Sequence, residues 1–129
     1  MTENETATAA GDFAFSEGPV WSVQFARTKP GLTNAYLANL RAQWKPLMEE
    51  AKRQKLIRDY RIVVSPPTGR DDWNVMIVTE VENMAALDGY SERMADLSAR
   101  LDGPDRPSHG CAQFRELLGM RLAREVFLK

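Results

Sequence analysis

Cysteine and histidine are nearly absent from the sequence, which contains one of each. Cys111 cannot form a disulfide bond within the chain, so the fold does not depend on an oxidising compartment. His109 and Cys111 could act as a nucleophilic pair only if their side chains touched, and a metal site would need further ligands from Asp102, Asp105 or Glu116. Because no ligand or catalytic spacing is recognisable, we expect neither a bound metal nor another cofactor.

Long apolar runs, a basic-then-apolar start and an excess of one charge are also absent. No apolar run approaches the length of a membrane span, and the acidic start shows no leader, so we expect a cytoplasmic protein without a membrane partner. The net charge is −1 with both signs interspersed, which argues against a nucleic-acid partner. The sequence also has no glycine-rich phosphate loop, nucleophile elbow or paired-carboxylate motif.

One long amphipathic helix is predicted over residues 33–56, with Thr33 as its N-terminal cap. Its apolar residues recur at intervals of three and four: Tyr36, Leu37, Leu40, Trp44, Leu47, Met48 and Ala51. Pro46 interrupts the pattern because it lacks an N–H and crowds the carbonyl four residues earlier. We therefore expect a kinked or widened helix near residues 42–46. A break into two helices, with Pro46 opening the second, is the alternative.

The remaining elements complete a single domain over residues 19–129, preceded by a mobile tail over residues 1–18. Strands are predicted at residues 20–28, 57–65, 73–81 and 120–128, a second helix at 83–101, and a short helical turn at 111–118. The element order is therefore β-α-β-β-α-β. This order predicts an α+β, ferredoxin-like fold, in which two helices cover one face of a four-stranded antiparallel sheet.

The third predicted strand is apolar on both faces, which bears on the oligomeric state. Trp73, Val75 and Ile77 are expected to face the helices, whereas Met76 and Val78 lie on the opposite face. The chain offers no further long helix to cover that second face. We therefore expect a second copy of the chain to cover it, which gives a homodimer.

Several stretches resemble the dimeric α+β barrel superfamily, and more narrowly an uncharacterised bacterial branch of it. They are the WxVxF pattern of the first strand, WKPLMEE in the first helix, and DDWNVMIVTEVENMAAL from the third strand into the second helix. The resemblance covers residues 19–129 and implies two sheets packed as a barrel across a dimer axis. Relatives include cofactor-independent monooxygenases, isomerases, haem-degrading enzymes and stress-responsive proteins. No subgroup's catalytic motif is present, so no catalytic residue is assigned.

Five residues are the candidates for binding a ligand: Trp21, Trp44, Tyr60, Trp73 and Arg124. The aromatic side chains could line an apolar pocket between sheet and helices, although at these spacings they would also suit an ordinary core. Arg124 shares strand parity with Leu122 and Val126, so it could point inward and require a carboxylate partner. The alternative is that Arg124 lies on a solvated strand face or forms an exposed salt bridge, as surface arginines usually do.

Two functions are consistent with these features. The first is a homodimeric small-molecule-binding protein, or a cofactor-independent enzyme acting on a hydrophobic or aromatic metabolite. The second is a non-catalytic dimeric interaction or stress-response module in which the aromatic residues are only core. A cavity with converging polar groups would favour the first function, and a filled interior would favour the second.

Overall fold

The computed structural model describes residues 12–67, 69–102 and 110–129 of the chain. The strands are β1 (Phe15–Thr28), β2 (Asp59–Val64), β3 (Val75–Val81) and β4 (Arg115–Leu128). Helix α1 spans residues 33–53 in three consecutive parts: α-helical Thr33–Asn39, π-helical Leu40–Trp44 and α-helical Lys45–Arg53. Helix α2 is Tyr90–Asp102, and short 3₁₀ turns lie at Met84–Leu87 and Gly110–Gln113.

The four strands form one sheet in the order β2-β3-β1-β4, and every neighbouring pair is antiparallel. Helix α1 connects β1 to β2, and α2 connects β3 to β4, so both connections cross over an intervening strand. This is the ferredoxin-like arrangement, as the element order predicts. The order leaves β2 and β4 as the two edge strands.

The core lies between the sheet and the helices and consists of two clusters. One joins Val20 and Val81 to Met48 of α1 and Leu97 of α2. The other cluster joins strand residues to the first part of α1: Ala26, Val75, Ile77, Tyr36 and Leu40. Trp44 packs against both clusters, so the end of the π-helical part lies where they meet.

The opposite face of the sheet, called the open face here, carries side chains from the alternate positions of the strands. Val23 pairs with Val78, and Arg61 pairs with Val78 from the other side. The guanidinium of Arg61 lies over the ring of Trp21 at 5.4 Å from its centroid, which is a cation–π contact. Val78 is consequently only 1% exposed, although none of the described helices covers this face. The prediction that the third strand is apolar on both faces is confirmed.

The first strand begins earlier than predicted. Phe15, Ser16 and Glu17 pair with the end of β4, and Lys129 N–H donates to the carbonyl oxygen of Ala14 at 2.8 Å. Residues 15–18, which the sequence pattern placed before the first strand, therefore belong to β1. Pairing with β4 supplies the hydrogen bonds that the local sequence pattern does not reveal. The tail predicted for residues 1–11 lies outside the described residues.

The fourth strand also begins earlier than predicted, at Arg115 instead of residue 120. Arg115 pairs with Thr28, so β4 runs along the whole length of β1. The helical turn predicted over residues 111–118 is confined to the 3₁₀ turn Gly110–Gln113. The apolar residues at the start of β4 follow the register of β1, which local helical spacing could not indicate.

The second helix is shorter than predicted because Gly89 interrupts it. Asn83 does act as a cap: its side chain accepts a hydrogen bond from Ala86 N–H at 3.0 Å. The capped segment is a 3₁₀ turn, and Gly89 then takes a φ of +69°, which a helix interior excludes. Helix α2 starts immediately afterwards, at Tyr90.

Thr33 and Trp73 also differ from expectation. Leu32 occupies the cap position, while Thr33 joins a polar network with Thr28 and Asn74; its hydroxyl lies 2.7 Å from that of Thr28. Asn74, which is 8% exposed, bonds both the amide and the hydroxyl of Thr28, so its side chain is satisfied although buried. Trp73 precedes β3 and packs on Phe25, so it lies with the open face and not with Val75.

Candidate functional site

The widened part of α1 is the local distortion that Pro46 predicts. Proline cannot donate a backbone hydrogen bond to the residue four positions earlier. The preceding turn is π-helical over Leu40–Trp44, and Lys45 N–H donates to the carbonyl of Leu40, five residues earlier. Single-turn π segments inside α-helices are frequent at functional sites. The expected widening near residues 42–46 is therefore confirmed, and α1 remains one continuous helical segment.

A cleft of about 320 Å³ opens between this widened segment and β2. Leu37, Leu40 and Ile62 provide apolar surface, and Trp44 and Tyr60 provide aromatic surface. The rings of Trp44 and Tyr60 meet edge to face, with centroids 5.3 Å apart and an interplanar angle of 89°. This geometry is favoured by the charge distribution of aromatic rings, so each side chain holds the other in place.

Tyr60 is anchored by its phenol group as well as by its ring. Its hydroxyl donates a hydrogen bond to the carboxylate of Glu49, which projects from the last part of α1. Burial, together with this hydrogen bond, raises the pKa of Tyr60 to about 12. The phenol therefore stays protonated at neutral pH. Tyr60 and Glu49 form a hydrogen-bonded donor and base at one side of the cleft.

The residue before Tyr60 fixes the start of β2. The Asp59 carboxylate accepts a hydrogen bond from Tyr60 N–H at 2.9 Å and contacts Lys52 Nζ at 3.2 Å. Both contacts lower the pKa of Asp59, and the hydrogen bond from Tyr60 N–H has the larger effect. Arg61 adds a third contact with Asp59 at 3.1 Å. Strand β2 is thus tied to α1 directly beside the cleft.

Two cations complete the lining of the cleft, namely Arg41 and Lys45. Both residues are exposed. Arg41 lies within the π-helical part of α1, and Lys45 is the first residue after it. In the ranges that the structure describes, neither has an ion-pair partner. The cleft therefore changes from apolar to positively charged towards its α1 side.

The structure brings together two of the five candidate ligand-binding residues, Trp44 and Tyr60. Trp21 lies on the open face, where its Nε1 donates to Glu125 at 3.3 Å. Trp73 packs on Phe25 on the same side of the sheet. Arg124 lies on β4 and has a carboxylate partner, Glu17, at 3.7 Å. These last three residues do not contribute to the cleft.

The two cations were not predicted as site residues. The helical pattern places Arg41 and Lys45 on the polar side of α1, where such residues are usually solvated. The signal that could have identified them is helical spacing. Leu37, Arg41 and Lys45 follow one another at intervals of four, so the two cations lie along α1 beside an apolar residue that lines the cleft.

Other possible sites are less well formed. A larger open depression of about 630 Å³ lies beside the turn between α1 and β2, but its lining mixes polar and apolar residues and lacks aromatic side chains. Among the residues described, no group of three or more His, Cys, Asp or Glu could hold a metal ion. His109 and the side chain of Cys111 lie outside the described part of the chain. In the described part, no helix has the length and apolar character needed to cross a membrane.

Comparison with known proteins shows a likeness to a solved structure. No family model and no curated protein matches the sequence. The chain is similar to a dimeric protein of unknown function with a ferredoxin-like fold from Bacteroides fragilis. The identity is 14%, the alignment covers 89% of this chain and 99% of that chain, and the TM-score is 0.46. At this level of identity, the likeness concerns the fold alone.

Proposed function

We propose that this chain is a homodimeric protein that binds a small apolar or aromatic molecule in the cleft between α1 and β2. The cleft itself is the observation that carries this proposal. Its volume of about 320 Å³ falls within the range of roughly 300–1,000 Å³ that is typical of small-molecule sites. Its lining is mostly apolar and aromatic, with a few polar groups at the edge, which is the usual composition of such sites.

The side chains around the cleft are held in place without a ligand. Trp44 packs against both core clusters and meets Tyr60 edge to face, while Tyr60 is hydrogen-bonded to Glu49. A site whose walls are already ordered loses little conformational entropy when a ligand binds. This preorganisation favours a binding role for the aromatic pair over a purely structural one.

A catalytic form of this function would use Tyr60 and Glu49. The phenol can donate a proton, and the carboxylate that it contacts can accept one, so the pair could move a proton without a cofactor. The raised pKa of Tyr60 makes the phenol a poor acid at neutral pH in the absence of substrate. Binding is therefore the primary proposal, and catalysis would require a substrate that displaces the bond between Tyr60 and Glu49.

The homodimer is supported by apolar surface that the single chain leaves uncovered. Phe127 of β4 is 50% exposed on the open face, and Leu117, Met120 and Leu122, on the other side of the same edge strand, are 47%, 60% and 47% exposed. An edge strand with this much exposed apolar surface favours association with another chain. Two sheets packed through their open faces would cover Phe127 and would form the barrel that the sequence resemblance implies.

Native mass spectrometry of freshly purified protein tests both parts of the proposal. We expect a dimer mass and a retained small molecule that is released when the protein unfolds. Leu37 lines the cleft and is partly exposed, so Leu37→Trp should fill the cleft and prevent retention. Leu101→Trp is the matched control, because Leu101 is exposed on α2 away from the cleft. Equal retention by both variants would place the ligand elsewhere, and a ligand-free monomer would contradict the proposal.

A further inference from the structure

We infer that the molecule held in this cleft is a small planar aromatic acid whose carboxylate binds between Arg41 and Lys45. This inference rests on the proposed function and specifies the chemical class of its ligand. It is carried by the juxtaposition of an apolar, aromatic wall with two cations that have no ion-pair partner within the described residues.

The charges elsewhere on α1 make these two cations distinctive. Glu50 is paired with Arg53, Lys52 contacts Asp59 of β2, and Glu49 accepts a hydrogen bond from the neutral phenol of Tyr60. These charged groups in the last part of the helix are therefore each engaged with a partner. Arg41 and Lys45, which lie beside the cleft, are not compensated in this way. An anionic group at this point would find two donors that are not already engaged with a carboxylate.

The chemistry of the two cations suits a carboxylate. The planar guanidinium of arginine can donate two parallel hydrogen bonds to one carboxylate, and a lysine ammonium adds a mobile point charge. The sequence has no glycine-rich loop of backbone amides to hold a larger phosphate group. A carboxylate on a compact ligand therefore matches the observed groups better than a nucleotide does.

The apolar part of the cleft suits a flat ring system. Leu37, Leu40 and Ile62 offer aliphatic surface, and Trp44 and Tyr60 offer aromatic surface. The cleft is small, so the acid group must be joined directly or by a short link to the ring to reach the cations. A long fatty acid would extend beyond this volume.

A matched pair of ligands tests the inference: 2-naphthoate and its neutral counterpart 2-naphthamide, each titrated into the intact protein by calorimetry. The amide keeps the ring and the shape but lacks the charge. We expect naphthoate to bind at least about tenfold more tightly, because hydrogen bonds to charged groups are stronger than neutral ones. Its affinity should fall as salt is added, whereas the affinity for naphthamide should not.

Three variants assign the effect to the proposed cations. Arg41→Gln and Lys45→Gln should each weaken naphthoate binding by roughly three- to tenfold and leave naphthamide binding unchanged. Arg53→Gln, on the same helix but outside the cleft, should leave both affinities unchanged. Both cleft cations are exposed, so these substitutions should not unfold the protein. An unchanged naphthoate affinity in Arg41→Gln and Lys45→Gln would overturn the inference.

Nuclear magnetic resonance distinguishes a failure of this inference from a failure of the proposed function. If both ligands shift the Trp44 and Tyr60 signals and bind equally well, the cleft binds aromatic molecules but does not select acids. That outcome overturns the inference alone. If neither ligand shifts these signals, the cleft is not a site for aromatic molecules, and both the inference and the proposed function are contradicted.

Discussion

Lys55 occupies a backbone position that usually requires glycine. Its φ is +65°, and it follows the end of α1. Leu56 N–H donates to Ala51 and Lys55 N–H donates to Lys52, which together form the Schellman pattern that ends many helices. A side chain with a Cβ is strained at this position by about 1–2 kcal/mol relative to an ordinary helical conformation. No feature of the sequence marks this strain, because the expected glycine is missing.

Replacing this residue should therefore stabilise the protein. We expect Lys55→Gly to raise the free energy of unfolding by up to about 1 kcal/mol, since the relief of strain exceeds the entropy that glycine adds to the unfolded chain. Lys55→Ala is the control, because alanine retains the Cβ and should change the stability much less. Urea denaturation with both variants measures the difference. Equal midpoints for the two variants would show that the left-handed conformation carries no measurable strain.

At the scale of elements, α1 illustrates what could be predicted from sequence and what could not. The spacing of its apolar residues indicates its face, and Pro46 indicates where it widens, because both effects act over neighbouring residues. The bounds of β1 and β4 depend instead on pairing between residues far apart in the sequence, such as Phe15 with Leu128 and Thr28 with Arg115. Local patterns contain no information about that register.

The candidate site was predictable to the same limited extent. Trp44 and Tyr60 were recognisable as aromatic residues on the helix-facing side, and they do meet. Trp21 and Trp73 could not be excluded from the sequence, because which sheet face the helices cover is a tertiary property. Arg41 and Lys45 follow Leu37 at intervals of four, but which border of the helix faces a cleft is again a tertiary property.

Pro46 should control the shape of the cleft. We expect Pro46→Ala to restore a backbone donor, convert Leu40–Trp44 to α-helix and turn Trp44 away from Tyr60. The stability gain should be about 1 kcal/mol, less than the roughly 3 kcal/mol cost of proline in a regular helix interior, because the π segment already accommodates the ring. Nuclear Overhauser contacts between the Trp44 and Tyr60 rings measure the change. Gln43→Ala is the control, because it changes a residue of the same turn and leaves Pro46 in place. Contacts between the two rings that persist in Pro46→Ala would show that Pro46 does not control the shape of the cleft.

At the scale of the whole molecule, the question is which surface a second copy would cover. The sequence pattern places Val78 on the face of β3 that a second copy was expected to cover, but Val78 is 1% exposed in the single chain. A lysine there would bury a charge within the protomer and destabilise the fold itself, whatever the oligomeric state. A useful test position must be exposed in the protomer and apolar. Phe127 satisfies both conditions, since it is 50% exposed on β4.

The expected result is that Phe127→Glu converts the dimer to a folded monomer. Phe127 shares the parity of Ala123, which pairs with Trp21, so its ring lies on the open face. Burying apolar area there stabilises a dimer by roughly 25 cal/mol per Å², before the cost of association, and a glutamate would bring an unpaired charge into the contact.

Met84→Lys is the control, because Met84 is 48% exposed but lies in the 3₁₀ turn that leads to α2. Sedimentation at micromolar concentration reports the mass of each variant, and circular dichroism establishes that Phe127→Glu remains folded. A monomeric unmodified protein, or a Phe127→Glu variant that stays dimeric, would mean that the open face is not the contact between copies.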